Sequence, residues 1–223
     1  MTREYLEAIL LAVGLALLIR TFVIQAFHIP SGSMEDTLLE GDFLITNKFL
    51  YGAQIPFTDW RLPGFRAPRP GDVVIFQYPL DPGRDFVKRC VAGPGQTVEV
   101  RNKILYVDGK RTVDPPRSKY IDPRMLPKAH PGGVRDNFGP AVAPPGHFFM
   151  MGDNRDNSED SRYWGFLPDK YVKAKAIILY FSWTPDLNAP EYVSLASIPQ
   201  MVTYNLIHFF GRVRWSRIGM VVK

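Results

Sequence analysis

Cysteine is what this chain most lacks. Its 223 residues include one, Cys90, which excludes an intramolecular disulfide and any CxxC-type metal site and leaves the redox character of its compartment open. Histidine is nearly as scarce, at four residues, so histidine-based chemistry has few candidates to draw on. Acids run out toward the C-terminus: none follows Glu191, while Arg212, Arg214, Arg217 and Lys223 crowd the last stretch. There is no Gly-x-Ser-x-Gly elbow and no Asp-x-Asp-x-Asp-Gly loop ending in Glu, the patterns of a histidine-assisted hydrolase and of a calcium loop. No repeat recurs at a solenoid period. What is present is ample apolar material: 46% of residues are hydrophobic and 22% charged, enough for a sizeable core and against global disorder. The length fits one larger domain, or one domain with an elaboration. A net charge of +5 suits an anionic partner, either nucleic acid or a membrane surface.

The one long apolar run lies at the start. From Tyr5 to Phe27 the chain reads YLEAILLAVGLALLIRTFVIQAF, 23 residues, or about 34 Å of helix at ~1.5 Å per residue. Glu7 and Arg20 sit near its ends, where long side chains can snorkel. No pair of small residues marks a cleavage site after its core. The expectation is therefore a transmembrane anchor over 5–27 behind a short tail, 1–4; a buried core helix and a cleaved signal are the alternatives. Arg3 favours the N-terminus inside.

Beyond the anchor the signals are mostly β. Strand-like runs occur at Phe43–Thr46, Val73–Tyr78, Val98–Val100, Ile104–Val107, Phe148–Met151 and Ala176–Trp183, bounded by Gly, Pro, Asn and Asp. Asp108-Gly109 closes a hairpin. Between Arg111 and Gly146 lie eight of the 20 prolines and four glycines, which reads as an irregular excursion from the β core. IPQMVTYNLIHFFGRVRW, near the end, reads as an amphipathic helix.

Three polar stretches stand out. IPSGSMEDTL places two serines around a glycine, a turn able to aim a hydroxyl and a backbone N–H at one point, although Ser-Gly-Ser is also ordinary loop chemistry. In DFVKRCVAGPG, Lys88 is flanked by Phe86, Val87, Cys90 and Val91; it is either a desolvated amine or a lysine on the wet side of a strand. MMGDNRDNSEDSRYWG is polar without a break from Asp153 to Ser161, with interleaved signs that suit an internally paired loop. On these residues alone, a membrane-anchored β module with a binding loop, a hydrolase using His28 or His147, and a DNA-binding protein all remain readings.

Taken together and in order, these stretches resemble bacterial type I signal peptidases, the leader peptidases. The resemblance rests on the anchor, SGSM at Ser31–Met34, GDFLI at Gly41–Ile45, PGDVVIF at Pro70–Phe76 and FVKR at Phe86–Arg89. It continues through GPG at Gly93–Gly95, PPG at Pro144–Gly146, the MMGDNRDNSEDSRYWG stretch and RWSRIG at Arg214–Gly219. The segment from Arg111 to Ala143 falls outside it. The resemblance implies a mainly β fold: an N-terminal transmembrane helix, then an antiparallel β-sheet catalytic domain over 28–223, with a smaller, irregular inserted subdomain at 97–146. It implies a serine-lysine dyad, with Ser33 as nucleophile and Lys88 as general base, and an oxyanion hole made by the Ser31 side chain and the Ser33 N–H. Ser158 would orient the Lys88 amine, and Asp160 and Arg162 would pair to support their loop. Phe27, Ile29, Pro30, Leu38, Phe86 and Val87 would line shallow pockets for the small residues of an Ala-x-Ala signal peptide. No cofactor and no metal is implied. The implied partners are signal peptides of secreted preproteins, the bilayer and, by proximity, the protein-export channel, with no nucleic acid. The implied place is the bacterial cytoplasmic membrane, spanned once, with the catalytic domain outside.

The chain departs from that pattern at Asp36, where the family usually has proline. With Glu35 this puts two acids beside the nucleophile, both expected to face solvent, since a carboxylate on Lys88 would favour the charged amine. Cys90 reads as a small buried hydrophobe. At the C-terminal end, Tyr204, Phe209, Phe210 and Trp215 are expected either to dip into the bilayer while Arg212, Arg214 and Arg217 meet headgroups, or to pack as a core helix.

Overall fold

The computed structural model describes residues 2–223 except 57, 59, 191–193, 195 and 196; Met1, part of the expected tail, lies outside the described residues. The chain opens with α1 (Thr2–Phe22). Its stretch Glu4–Phe22 has a mean hydropathy of 1.9 and is nowhere buried against the rest of the protein, which removes the core-helix reading. By length and composition it can cross a membrane. The helix stops short of the expected Phe27 boundary. Ile24–His28 instead form strand β1, zipped to β2 (Asp42–Asn47) from Ile24 opposite Asn47 to His28 opposite Phe43. That ladder satisfies backbone groups that a longer helix would have kept to itself.

The large sheet adds β3 (Val73–Tyr78), β4 (Asp81–Ala92), β9 (His147–Met151), β10 (Leu167–Pro168) and β11 (Val172–Ser182), in the order β1-β2-β11-β3-β4-β9-β10. Its ladders all run antiparallel. Apolar layers cover both faces, so β3 reads as an unbroken run rather than an alternation: Val73 and Ile75 pack with Met34, Leu38, Leu44 and Leu179, and Val74 and Phe76 with Cys90, Phe148 and Leu167.

The expected insert carries a second sheet of its own, β5 (Thr97–Arg101), β6 (Ile104–Val107), β7 (Lys110–Arg111) and β8 (Phe138–Val142), ordered β7-β6-β5-β8. It is less irregular than its composition implies, because β8 returns to pair with β5. Val98, Val100 and Leu105 pack on Phe149 and Met151 of β9, which ties the two sheets together. Residues 112–132 contain no strand or helix.

The expected C-terminal helix is shorter and broken. α3 (Ile198–Ile207) and α4 (Phe209–Arg212) meet at His208, and Val213 leaves the helix to bridge Trp183 beside β11. Arg214 and Arg217 turn inward onto the buried Asp42, at 3.3 and 2.5 Å. They are therefore not the free headgroup contacts expected of them, since the fold already supplies their counter-charge.

Candidate active site

β1 leads into the buried Ile29, whose backbone is pinned to Asp42 and Gly41 beside β2. Ser31 follows in an extended conformation, and Gly32–Met34 make a single 3-10 turn. Buried Met34 roots this turn in the core, and its carbonyl accepts the N–H groups of Thr37 and Leu38. Ser33 stands in the first turn, where an N–H has no helical acceptor. Its carbonyl accepts the Asn154 N–H at 3.1 Å.

Lys88 lies on β4 opposite Val74 and is only 3% exposed. Its Nζ donates to Ser33 Oγ at 2.5 Å, across 55 residues of sequence. Burial pushes the amine down to about 8; Asp160, Glu159 and Asp153 oppose the shift by favouring the cation, and Arg162 assists it. With that value about one amine in ten is neutral at pH 7, against about one in 2,500 at the ordinary ~10.4.

The loop after β9 wraps around this pair. Gly152 is required there: a Cβ would fall 2.2 Å from Ser158 Oγ and 2.5 Å from the Ser33 carbonyl oxygen. Asp160 caps α2 (Ser161–Trp164) and receives the Arg162 guanidinium at 2.8 Å and the Gly152 N–H at 3.1 Å. Burial works against its charge, yet Arg162 holds its carboxyl below the usual carboxylate range. Arg162 also donates to the carbonyls of Arg135 and Arg155, so the Asp160–Arg162 pair fastens the loop. The expected bond from Ser158 to Lys88 is not made. Ser158 Oγ is buried without a hydrogen-bond partner among the described residues, while the amine is engaged by Ser33.

A cleft of about 540 Å³ opens over Ser33 and Lys88. Phe27, Ile29, Pro30, Phe86 and Val87 line it together with Ser31. Leu38 does not: the turn at Met34 points it inward, and it is fully buried in the core. His28 lies at the rim with its ring 4.7 Å from that of Phe43, and His147 bonds the Pro145 carbonyl. Neither supplies the hydrogen bond to Ser33 Oγ that Lys88 makes.

The acids beside Ser33 are only half turned to solvent. Glu35 and Asp36 both meet Lys119, at 3.0 and 3.5 Å, a residue of the stretch outside the resemblance. Asp36 has φ 73, which proline cannot adopt. Cys90 is buried, its thiol pushed up to about 12 by desolvation, as fits a small hydrophobe.

Residues that the sequence did not single out tie the site together. Buried Arg89 forks onto Asp153 at 2.8 and 2.7 Å, and Asp153 accepts the Thr37 hydroxyl at 2.6 Å. Asn154 donates its side-chain amide to the Gly32 carbonyl and to Glu35. At the rim, Tyr78 donates to Glu159 at 2.5 Å and stacks on Phe86 at 4.4 Å. The sequence signals for this network were Arg89 beside Lys88 in FVKR and the charged stretch that begins at Asp153.

Residues 2–183 match the family model described as signal peptidase, peptidase S26. The chain is 33% identical to signal peptidase I of Pseudomonas aeruginosa, over 92% of this chain and 79% of that protein. It is 32% identical to signal peptidase I of Aquifex aeolicus over 97% of each. It is 38% identical to the probable signal peptidase I-1 of Synechocystis, over 80% of this chain and 82% of that one. A solved signal peptidase I from Enterococcus faecalis shows 27% identity and a TM-score of 0.37 over 49% of this chain and 97% of that one.

Proposed function

This chain belongs to the signal peptidase family, peptidase S26, and from that premise we propose that it cuts signal peptides from exported preproteins by a serine-lysine dyad, after small residues at P3 and P1. The observation that carries the proposal is the contact of Ser33 Oγ with a lysine amine that burial holds near 8.

In the proposed reaction, neutral Lys88 accepts the Ser33 proton as Oγ attacks the scissile carbonyl. The carbonyl oxygen gains the negative charge and is met by the Ser33 N–H and the Ser31 hydroxyl. As the C–N bond breaks, the Lys88 ammonium returns the proton to the leaving amine. The neutral amine then takes a proton from water, whose oxygen attacks the acyl ester, and hands that proton to Ser33 Oγ as the signal peptide leaves. Ser158, whose buried hydroxyl has no partner among the described residues, is available to accept from Lys88 once the amine is charged. A substrate lying in the cleft excludes water further and favours the neutral amine. The cleft walls of Phe27, Ile29, Pro30, Phe86 and Val87 supply apolar contact, and in this reading the pockets they form accept only small P1 and P3 side chains.

In this reading α1 crosses the bacterial cytoplasmic membrane once with its N-terminus inside, and the catalytic domain, 28–223, stands outside, close to the export channel where preproteins emerge. The test is cleavage of a preprotein bearing an Ala-x-Ala site by the full chain in detergent. Ser33→Ala should lose about 10⁴-fold or more in rate, and a bulky P1 residue should block cleavage by the parent enzyme. A Ser33→Ala protein that still cleaves overturns the assignment.

A further inference from the structure

Where α1 meets the large sheet, a second cleft, of about 310 Å³, is lined by Thr21, Gln25, Lys48, Gln54, Arg61 and Lys173. β1 connects the two clefts, with Gln25 in this one and Phe27 in the active-site cleft. Three cations converge here with too few acids among the described residues. Lys173 pairs with Asp85 at 2.7 Å. Arg61 donates Nη1 to the Asp169 carbonyl and feels the Asp169 charge, but its Nε is buried and has no hydrogen-bond partner among the described residues. Lys48 has no ion-pair partner among the described residues, and burial together with the Lys173 charge lowers its pKa.

Such an arrangement is costly without a counter-charge, since like charges repel across a partly dry cleft. A bound anion relieves that repulsion. Its oxygens accept from the Arg61 guanidinium and the two amines, while the Thr21 hydroxyl and the Gln25 and Gln54 amides provide neutral donors around the rim. The location narrows the choice of anion. Thr21 belongs to the last turn of α1, whose apolar span ends at Phe22, so the cleft lies where a spanning helix leaves the hydrocarbon and phosphate groups are concentrated.

We propose that the cleft formed by Lys48, Arg61 and Lys173 binds the phosphate of an anionic phospholipid headgroup. This rests on the reading of α1 as a membrane anchor. The headgroup would hold the base of β1, the strand that leads to the nucleophile turn, at a fixed depth.

Flotation of the full chain with phosphatidylcholine vesicles tests the anchor by itself: the chain should float, and a chain that stays behind overturns the anchor reading. The cleft is tested on delipidated full chain in neutral detergent by native mass spectrometry with phosphatidylglycerol or phosphatidylcholine. One phosphatidylglycerol should be retained in preference to phosphatidylcholine. Lys48→Gln with Arg61→Gln should weaken retention about 30-fold, and Lys48→Gln alone about fivefold. Peptide cleavage in detergent by the same variants should be unchanged, which shows that they are folded. Equal retention of the two lipids, or variants that hold phosphatidylglycerol undiminished, overturns the site. Inorganic phosphate is titrated alone: saturation as tight as that of phosphatidylglycerol makes this a free-anion site and overturns the lipid assignment, and weaker binding supports the lipid.

Discussion

Lys88 and Arg89 are neighbours on β4, both cationic and nearly equally buried at 3% and 4% exposure, yet their surroundings differ completely. Arg89 faces the Asp153 carboxylate through two hydrogen bonds and donates further to the carbonyls of Gly71 and Lys223. Lys88 touches a serine hydroxyl and the Phe86 ring, and its acids act from farther off. Strand alternation turns the two side chains apart, so one backbone segment serves both purposes. A paired buried cation holds structure together. An underpaired one sheds its proton more readily, which suits it to the proposed role of base.

The comparison can be broken most severely by making the same change on each side. Lys88→Met should lose about 10⁴-fold or more in kcat/KM while making the protein harder to unfold. An amine held near 8 rather than at ~10.4 costs the fold about 3 kcal/mol at pH 7. The unfolded chain binds the proton more tightly, so that deficit is complete below about pH 8 and disappears as pH rises toward ~10.4. Denaturant midpoints of parent and variant should therefore converge at high pH. Arg89→Met should do the opposite to stability, removing about 3–5 kcal/mol by leaving Asp153 buried without its counter-charge; adding Asp153→Asn should return part of that loss.

Smaller effects sharpen the picture. Ser31 is exposed and makes no capping bond in the turn, so Ser31→Ala should leave unfolding unchanged and lower kcat about 10²–10³-fold with little effect on KM. Lys119→Ala removes a half-exposed ion pair with Glu35 and Asp36 and should cost less than about 1 kcal/mol in the denaturant midpoint. A larger loss there would mean that the stretch 112–132 holds the nucleophile turn more firmly than its contacts account for.

Much of the site was legible because catalysis needs particular residue types in a fixed order. SGSM, FVKR and the GDNRDNSEDSR loop carried the resemblance that implies roles for Ser33, Lys88, Asp160 and Arg162, whereas the residues by themselves left ordinary loop chemistry and a wet lysine open; the signs interleaved along the loop suited its internal pairing. What stayed hidden depended on direction in space. Nothing in MEDTL says that the turn at Met34 buries Leu38, or that Glu35 and Asp36 find Lys119 more than 80 residues later. Arg214 and Arg217 looked like a surface patch until Asp42, far away in sequence, proved to be their partner. In the second sheet β5, β6 and the Asp108-Gly109 hairpin were legible, but β8 was obscured by its own composition, since Gly139 and Pro140 interrupt the alternation that marks a strand. The end of α1 was misjudged because IQAFH is apolar enough to continue a membrane helix and equally able to pair with β2.

The central claim is that a buried, underpaired lysine is the base, and the pH dependence of kcat/KM tests it most directly. For the full chain in neutral detergent acting on an Ala-x-Ala peptide between about pH 6 and about pH 10, the rate should climb with pH along a limb centred near 8, because only deprotonated Lys88 can take the Ser33 proton. A limb near ~6.5 that disappears with His28→Ala, or a rate indifferent to pH across this range, would contradict the account.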